Sequence, residues 1–403
     1  MIISFYSYKG GVGRTQLAAN LAAYLCYYKQ RKVLIIDWDM EAPGVDFFFK
    51  VDRSTIKHGL LNLFNDFVKL VRNNANIKDN DLPKIFTENK SKYIINLIKS
   101  ANKKGKVDFM PAGNYNDNFV KNVTSFDWYE FYETLNGKYF IEYLKEELNN
   151  SEYDYIFIDS RTGTSDYAGI CNIQFPELNV FVIAPTNQNF KGCREIANSI
   201  INSPYVKNGL RKPLIMPILS RLDRTDNISG EWFGKFRETF IDIITNFLSF
   251  LDIDKRNFFE KDIKNSNFEK LALTLKNSYI NSYIENTLLE YKTEISYGEK
   301  LLFFDDLRTI EYTTLEKQIV EIAKYIEFLI NKSDRKEEIK KRVEDLEKEF
   351  KELELVALMS TDIYEQKTAA IEMKRITELM NLLTDELMSL NKNENTKNKK
   401  VVR

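Results

Sequence analysis

The sequence predicts an α/β fold: a mostly parallel central sheet flanked by helices, followed by a helical coiled-coil extension. Three observations carry this. A glycine-rich turn, Lys9-Gly10-Gly11-Val12-Gly13-Arg14-Thr15, joins a short apolar run to a helical run. Short continuous apolar runs, two of them ending in aspartate, recur along the chain and alternate with helical stretches; such runs mark strands buried on both faces of a parallel sheet. From Ser333 to Leu390 there is neither glycine nor proline.

Residues 2–6 are the first apolar run. From Thr15 to Tyr28, the spacing of Leu17, Leu21, Ala22 and Leu25 predicts a helix. Val33 to Asp37 completes a βαβ unit, and an acidic loop with Pro43-Gly44 follows its tip. Residues 58–106 read as helical and polar, without a motif; His58 reads as a surface or capping residue. Val107 to Met110 predicts a strand, turned by Pro111-Ala112-Gly113. Between 126 and 149, aromatic and acidic residues at helical spacing should cover a sheet face. Tyr155 to Asp159 is a further strand ending in an acid, and Ser160 to Thr164 a flexible loop. Asn179–Ala184 and Leu214–Leu219 read as buried strands, with a helix near 190–203 between them. Residues 228–283 read as helical and aromatic-rich, Asn286–Tyr291 as a last strand, and Leu315–Ile330 as a closing amphipathic helix. Beyond it, Ile339, Val343, Leu346, Phe350 and Leu353 follow coiled-coil spacing, as do Ile376, Met380, Leu383, Leu387 and Leu390. The gap between the two runs is not a whole number of heptads. Either two helices fold back as an antiparallel hairpin, or one long helix carries a stutter. The expected organisation is a globular unit over 1–332, a coiled coil or helical hairpin over 333–391, and a basic, disordered tail over 392–403.

Composition narrows the function classes. Lys and Arg (58) balance Asp and Glu (59), so no global field attracts nucleic acid. A single histidine excludes a multi-histidine metal centre and argues against a Ser-His-Asp triad. Cys26, Cys171 and Cys193 are scattered and read as reduced core residues. No apolar run reaches the ~18 residues of a membrane span, and the amino terminus reads as a strand rather than a signal peptide. The expectation is a cytoplasmic protein with no membrane contact.

The glycine-rich turn points to phosphate, because backbone N–H groups of such a loop and of the following helix converge on an anion. The strict P-loop pattern is G-x-x-x-x-G-K-[ST]; here Tyr8 stands at its first glycine and Arg14 at its lysine. Lys9, Gly10, Gly11, Val12, Gly13, Arg14, Thr15 and Gln16 are the candidate phosphate-binding residues. The Thr15 hydroxyl can ligate Mg²⁺, and Asp159 suits an acid that holds metal-bound water. Asp37 and Asp39 lie at a second strand tip, where an acid can polarise an attacking water. Thr15, Asp37 and Asp159 form the candidate metal group. Open α/β sheets bind ligands at the carboxyl ends of their strands, where all three acids fall. Glu41 and Asp46 read as solvated loop charges, Arg161 as the partner of a surface acid, and Arg194 as structural.

Lys9 to Thr15 resembles the deviant Walker A motif, K-G-G-x-G-K-[ST], of the ParA/MinD-type ATPases. Asp37-Trp38-Asp39 resembles their switch I segment, with the catalytic aspartate at Asp39. Tyr155 to Asp159, with Ser160 to Gly163, resembles Walker B and switch II. Pro111-Ala112-Gly113 and Ala184-Pro185-Thr186 resemble turns of the same family. The resemblance covers about residues 1–330 and leaves out the helical end. It implies an ATPase using ATP and Mg²⁺, and an ATP-bridged homodimer in which the catalytic Lys9 reaches the partner's nucleotide. It also implies slow hydrolysis stimulated by a partner protein, here contacted through the carboxyl-terminal helices. Base recognition falls near Ser220-Arg221, making Arg221 a nucleotide-binding candidate beside its structural reading; Tyr297-Gly298-Glu299 would close over the base. Arg14 departs from the family's lysine, keeping the charge in a bulkier planar fork. Hydrolysis by a variant subgroup, binding with very slow hydrolysis, and a vestigial site all fit that departure; retention of Lys9, Thr15, Asp39 and Asp159 argues against the last. The arginine variant also resembles ATPases of bacterial multigene regulatory or antiviral systems. Two other classes stand beside this one: an interaction scaffold with a structural nucleotide and a functional coiled coil, and a DNA-associated partition-type ATPase, for which only the basic tail Lys392–Arg403 speaks.

Overall fold

The computed structural model describes residues 1–73, 81–163, 169–203, 213–225, 227–251, 279–291, 299–303 and 313–329, with scattered positions between 343 and 384. The apolar runs become strands: β1 (Ile2–Tyr6), β2 (Lys32–Asp37), β3 (Ile95–Lys99), β4 (Lys106–Met110), β5 (Tyr155–Asp159), β6 (Leu178–Ile183), β7 (Leu214–Leu222) and β8 (Leu289–Glu290). They lie in one sheet in the order β3-β4-β2-β5-β1-β6-β7-β8. All neighbours pair in parallel except β3 with β4. The crossovers are helical: α1 (Arg14–Lys29), α2 (Val45–Phe48), α3 (Leu60–Asn73), α4 (Lys90–Tyr93), α5 (Phe119–Thr124), α6 (Gly137–Asn149), α7 (Asn187–Asn202), α8 (Ser229–Leu251) and α9 (Thr314–Leu329). Register places Asp37 at the tip of β2 directly opposite Asp159 at the tip of β5, with Phe5 of β1 on the other side of Asp159.

Alternation along each strand divides the apolar side chains between two cores, one on each face of the sheet. Ile3, Phe5, Val33 and Ile35 join the core beneath α1, α7, α8 and α9; Ile2, Leu34, Ile36 and Trp38 join the core beneath α3 and α6. Burial on both sides explains why these strands read as unbroken apolar runs. The helix α1 is enclosed along its middle, Leu17 to Cys26 all being buried. Sheet lies on one side of it, and α9 and residues 300–303 on the other. Asn20 ties the latter segment down: it donates to the Lys300 carbonyl at 3.3 Å and accepts from the Leu302 N–H at 2.5 Å. The aromatic stretch 126–149 does cover a sheet face, as a π-helical turn, Glu130–Thr134, followed by α6.

Three expectations change. Residues 58–106 are not wholly helical, because Ile95–Lys99 forms the antiparallel edge strand β3. The last strand is confined to Leu289–Glu290, while Asn286 and Thr287 are still helical. Asp46, read as a solvated charge, is fully buried. The cysteines are buried and not joined in disulfides, and no helix of the described residues is long and apolar enough to cross a membrane. At the carboxyl end, described positions between 343 and 384 are helical. Leu346 and Ile376 of the two heptad runs are buried there, while Glu347, Lys348, Lys351 and Glu352 are exposed. The junction at Ser333, residues 252–278, Tyr297-Gly298 and the tail 392–403 lie outside the described residues.

Candidate functional site

The loop from Ser7 to Gly13 runs from the carboxyl end of β1 to the first turn of α1. Gly11 and Gly13 take φ of +71° and +91°, left-handed values that glycine adopts without strain. A Cβ on Gly10 or Gly11 would meet nothing within 4 Å, so the loop's outer side is open. Its inner side is pinned. The Ser220 hydroxyl, in β7, donates to the Val12 carbonyl at 2.9 Å. Tyr8, at the position of the strict motif's first glycine, lays its ring against Gly192 of α7, where a Cβ would sit 2.3 Å from the ring. The missing loop glycine is thus matched by a glycine on the neighbouring helix. Lys9 is exposed, its ammonium 5.5 Å from the Tyr8 ring centroid.

Arg14 and Thr15 open α1 and face the acid-tipped strands. Arg14 is only 7% exposed. It donates from Nε to Asp159 Oδ1 at 2.6 Å and from Nη2 to Asp39 Oδ2 at 2.9 Å. Thr15 donates its hydroxyl to Asp159 Oδ2 at 2.7 Å. Burial works against the Arg14 charge, but the Asp159 and Asp39 carboxylates outweigh it and hold its pKa above the usual arginine value. Burial pushes Asp159 up from the ordinary carboxylate range, opposed by Arg14 and Thr15.

Asp37, the other candidate metal ligand, lies beside this cluster with both carboxylate oxygens engaged by backbone N–H groups. One carboxylate oxygen accepts from the N–H groups of Gly44 and Val45 at 3.1 and 3.3 Å, the other from the Asp39 N–H at 3.2 Å. It folds the segment 39–45 back over the strand tip and caps α2. Burial, with the nearby Asp159 and Asp39 charges, raises its pKa well above the ordinary value. The same segment is clipped further along. Asp46 takes two bonds from Arg53, at 2.6 and 3.0 Å, and the guanidinium lies between the rings of Phe47 and Tyr115. Sequence reasoning missed this clip: an Asp and an Arg seven positions apart in a loop carry no periodic signal. Arg161 does pair with a surface acid, Glu41, at 2.5 Å, linking the loops that follow β5 and β2. Arg194 pairs in a fork with Asp242 at 2.6 and 2.8 Å.

A cavity opens beside the loop at the end of β7, lined by Gly13, Gln16, Ser220, Arg221, Tyr291 and Leu315 among others. Arg221 adopts φ of +55°, and its guanidinium lies 5.7 Å from the Tyr291 ring centroid. The structure therefore gathers Lys9 to Gln16, Asp37, Asp39 and Asp159 at one end of the sheet and sets Arg221 on the rim of an adjoining cavity. Among the described residues, no group of three or more His, Cys, Asp or Glu side chains forms a metal cage.

No curated protein sequence matches the chain. Among solved structures, the septum site-determining protein MinD from Pyrococcus horikoshii, complexed with Mg-ADP, is 16% identical, with 82% of this chain and 97% of that one covered and a TM-score of 0.46. A Cyanothece McdA complex with ATP is 20% identical, covering 59% and 78%, with a TM-score of 0.42. The ParA of pNOB8 bound to nonspecific DNA is 16% identical, covering 82% and 98%, with a TM-score of 0.44. Residues 1–168 match the family model described as an AAA domain. That stretch carries the glycine-rich loop, both acid-tipped strands and the loop after Asp159.

Proposed function

We propose that the chain is a Mg²⁺-dependent ATPase that works as a dimerising nucleotide switch and turns over slowly. One observation carries this reading. An open glycine cradle, a hydroxyl at the first turn of α1 and two acids from adjacent strand ends converge at the carboxyl end of a parallel sheet, with Thr15 Oγ1 and Asp159 Oδ2 2.7 Å apart. The match of residues 1–168 to the AAA-domain model supports the same class.

The residues present fit the ligands. Gly10 and Gly11 leave room for a phosphate, and the loop and first turn of α1 supply backbone donors where the helix dipole favours an anion. Thr15 and Asp159 would hold Mg²⁺, the hydroxyl directly and the acid through metal-bound water; a magnesium ion ligated largely by phosphates and waters needs no all-protein cage. Bound Mg²⁺ supplies neutralisation of the charge that builds on a transferring phosphoryl group. Asp39, at the site's edge and 8% exposed, orients the attacking water. Lys9, exposed beyond Tyr8, would reach the nucleotide of a second chain. The cavity between Gln16, Arg221 and Tyr291 receives the base, which the flat guanidinium and ring can stack against. Slow turnover follows from the Arg14–Asp39 pair, which occupies an oxygen of the water-orienting acid. The amphipathic carboxyl-terminal positions around Leu346 and Ile376 would carry the nucleotide state to a partner protein.

The test is nucleotide binding and turnover in three proteins. Wild type should bind ATP with Mg²⁺. Asp39→Ala should still bind ATP with Mg²⁺ and lose roughly 100-fold in turnover, the loss of a water-orienting group. Thr15→Ala should lose roughly tenfold in affinity, and only when Mg²⁺ is present. Wild type that binds no ATP at millimolar concentration would sink the proposal.

A further inference from the structure

Arg14 stands where a P-loop cation reaches phosphate, yet its side chain is engaged with carboxylates from two separate segments. Nε holds Asp159 at the end of β5, and Nη2 holds Asp39 just past the end of β2. Asp159 uses its remaining oxygen to accept the Thr15 hydroxyl. These are the groups on which a divalent cation would depend. A dication among them would sit within ion-pair distance of a buried guanidinium, a repulsion that a low-dielectric site does not screen. The fork geometry matters as well: a planar guanidinium bridges two carboxylates through separate nitrogens, whereas a lysine ammonium is a point charge on a flexible stem. A second bridge, Arg161 to Glu41, joins the same two segments on the outer surface, where solvent weakens it. Behind Arg14, the segment after β2 depends on Asp39 as well. The Ala42 N–H donates to Asp39 Oδ1 at 3.4 Å and to the Asp39 carbonyl at 3.2 Å.

We propose that Arg14 is an internal counter-cation that competes with the divalent metal for Asp159 and Asp39 and latches the segments after β2 and β5 together until a metal-bound nucleotide displaces it. The displacement rests on the nucleotide reading given above; the latch itself does not. Replacing the P-loop lysine by arginine then converts a phosphate ligand into a gate on metal entry, rather than simply weakening the site.

The experiment uses the full chain purified without nucleotide, as wild type, Arg14→Gln and Arg14→Lys, with two readouts. The first is hydrogen–deuterium exchange of peptides spanning 39–45 and 159–163. The second is titration with Mn²⁺ alone, followed by electron paramagnetic resonance. In Arg14→Gln the amides should exchange at least about tenfold faster than in wild type, since opening no longer breaks the bridge. Mn²⁺ should bind at least about tenfold tighter, an advantage removed by adding Asp159→Asn. Arg14→Lys should move both readouts by about threefold, because it keeps a charge but not the fork; it decides the matter if Arg14→Gln does not fold. Exchange of the β6 amides reports an intact core. Folded variants that exchange at the wild-type rate, or take up Mn²⁺ no more tightly than wild type, overturn the proposal. Both readouts are free of nucleotide, so a chain that binds no ATP contradicts the proposed function while leaving this test standing.

Discussion

At the residue scale the site is governed by four buried charges: Arg14, Asp37, Asp39 and Asp159. Removing one member of a buried ion pair leaves its partner without compensation, which typically costs several kcal/mol. Arg14→Ala should therefore lower the unfolding free energy by about 3 kcal/mol, read from urea denaturation, even though it lies in a loop-to-helix junction rather than in an apolar core. Asp37 gives a pH signature. Its folded pKa is raised, so the folded chain binds more protons than the unfolded one between the two values, and stability falls as pH rises through that window. Asn at this position does not titrate. Wild type should accordingly gain on Asp37→Asn as pH is lowered towards the ordinary carboxylate value, measured as the difference between their urea midpoints. A difference independent of pH would contradict the burial of an ionisable Asp37. The strand-tip positions of Asp37 and Asp159 could be read from the sequence, because each ends an apolar run, and Asp39 follows Asp37 by two residues. Their individual tasks could not. Asp37 and Asp39 are two residues apart, and only the fold of residues 39–45 decides that the first accepts backbone N–H groups while the second meets Arg14.

The loop and the helix beside it form the next scale. The contact between Tyr8 and Gly192 explains how a P-loop without its first glycine keeps its path. Gly192→Ala would place a methyl 2.3 Å from the Tyr8 ring, too close for either to remain in place. The expected outcome is a loss of about 1–3 kcal/mol in stability, typical of overpacking, together with weaker ATP binding as the loop is pushed aside. Adding Tyr8→Ala should restore most of both losses; a double variant no better than Gly192→Ala would show that the contact does not set the loop. Legibility at this scale followed burial. β1, β5 and β6 are buried throughout, β2 is buried beyond Lys32, and all four read as apolar runs. β3 is a half-exposed edge strand, Ile-Asn-Leu-Ile-Lys, inside a polar stretch, and its pairing with β4 leaves little mark on its composition. β8 spans two residues, too few for any period to register.

At the scale of the whole molecule, the strand order puts β1 between β5 and β6 and carries the loop to the middle of the sheet, with acids on one side and the Arg221 cavity on the other. The α/β class and the parallel sheet were legible because alternating helices and buried strands admit few topologies. The order of the strands was not, since it depends on contacts between segments far apart in the chain. The proposed dimer belongs to this scale. Lys9, Gly10 and Gly11 are exposed at the same end of the sheet as the buried acids, so one chain presents its loop outward and a second copy can meet it face to face. The most direct measurement is the mass of the full chain by light scattering, with and without ATP and Mg²⁺, for wild type and Lys9→Ala. The account predicts that wild type doubles in mass only with both ligands and that Lys9→Ala, still binding ATP, remains monomeric. A wild type whose mass does not respond to ATP and Mg²⁺, or a Lys9→Ala chain that doubles as readily as wild type, would contradict it.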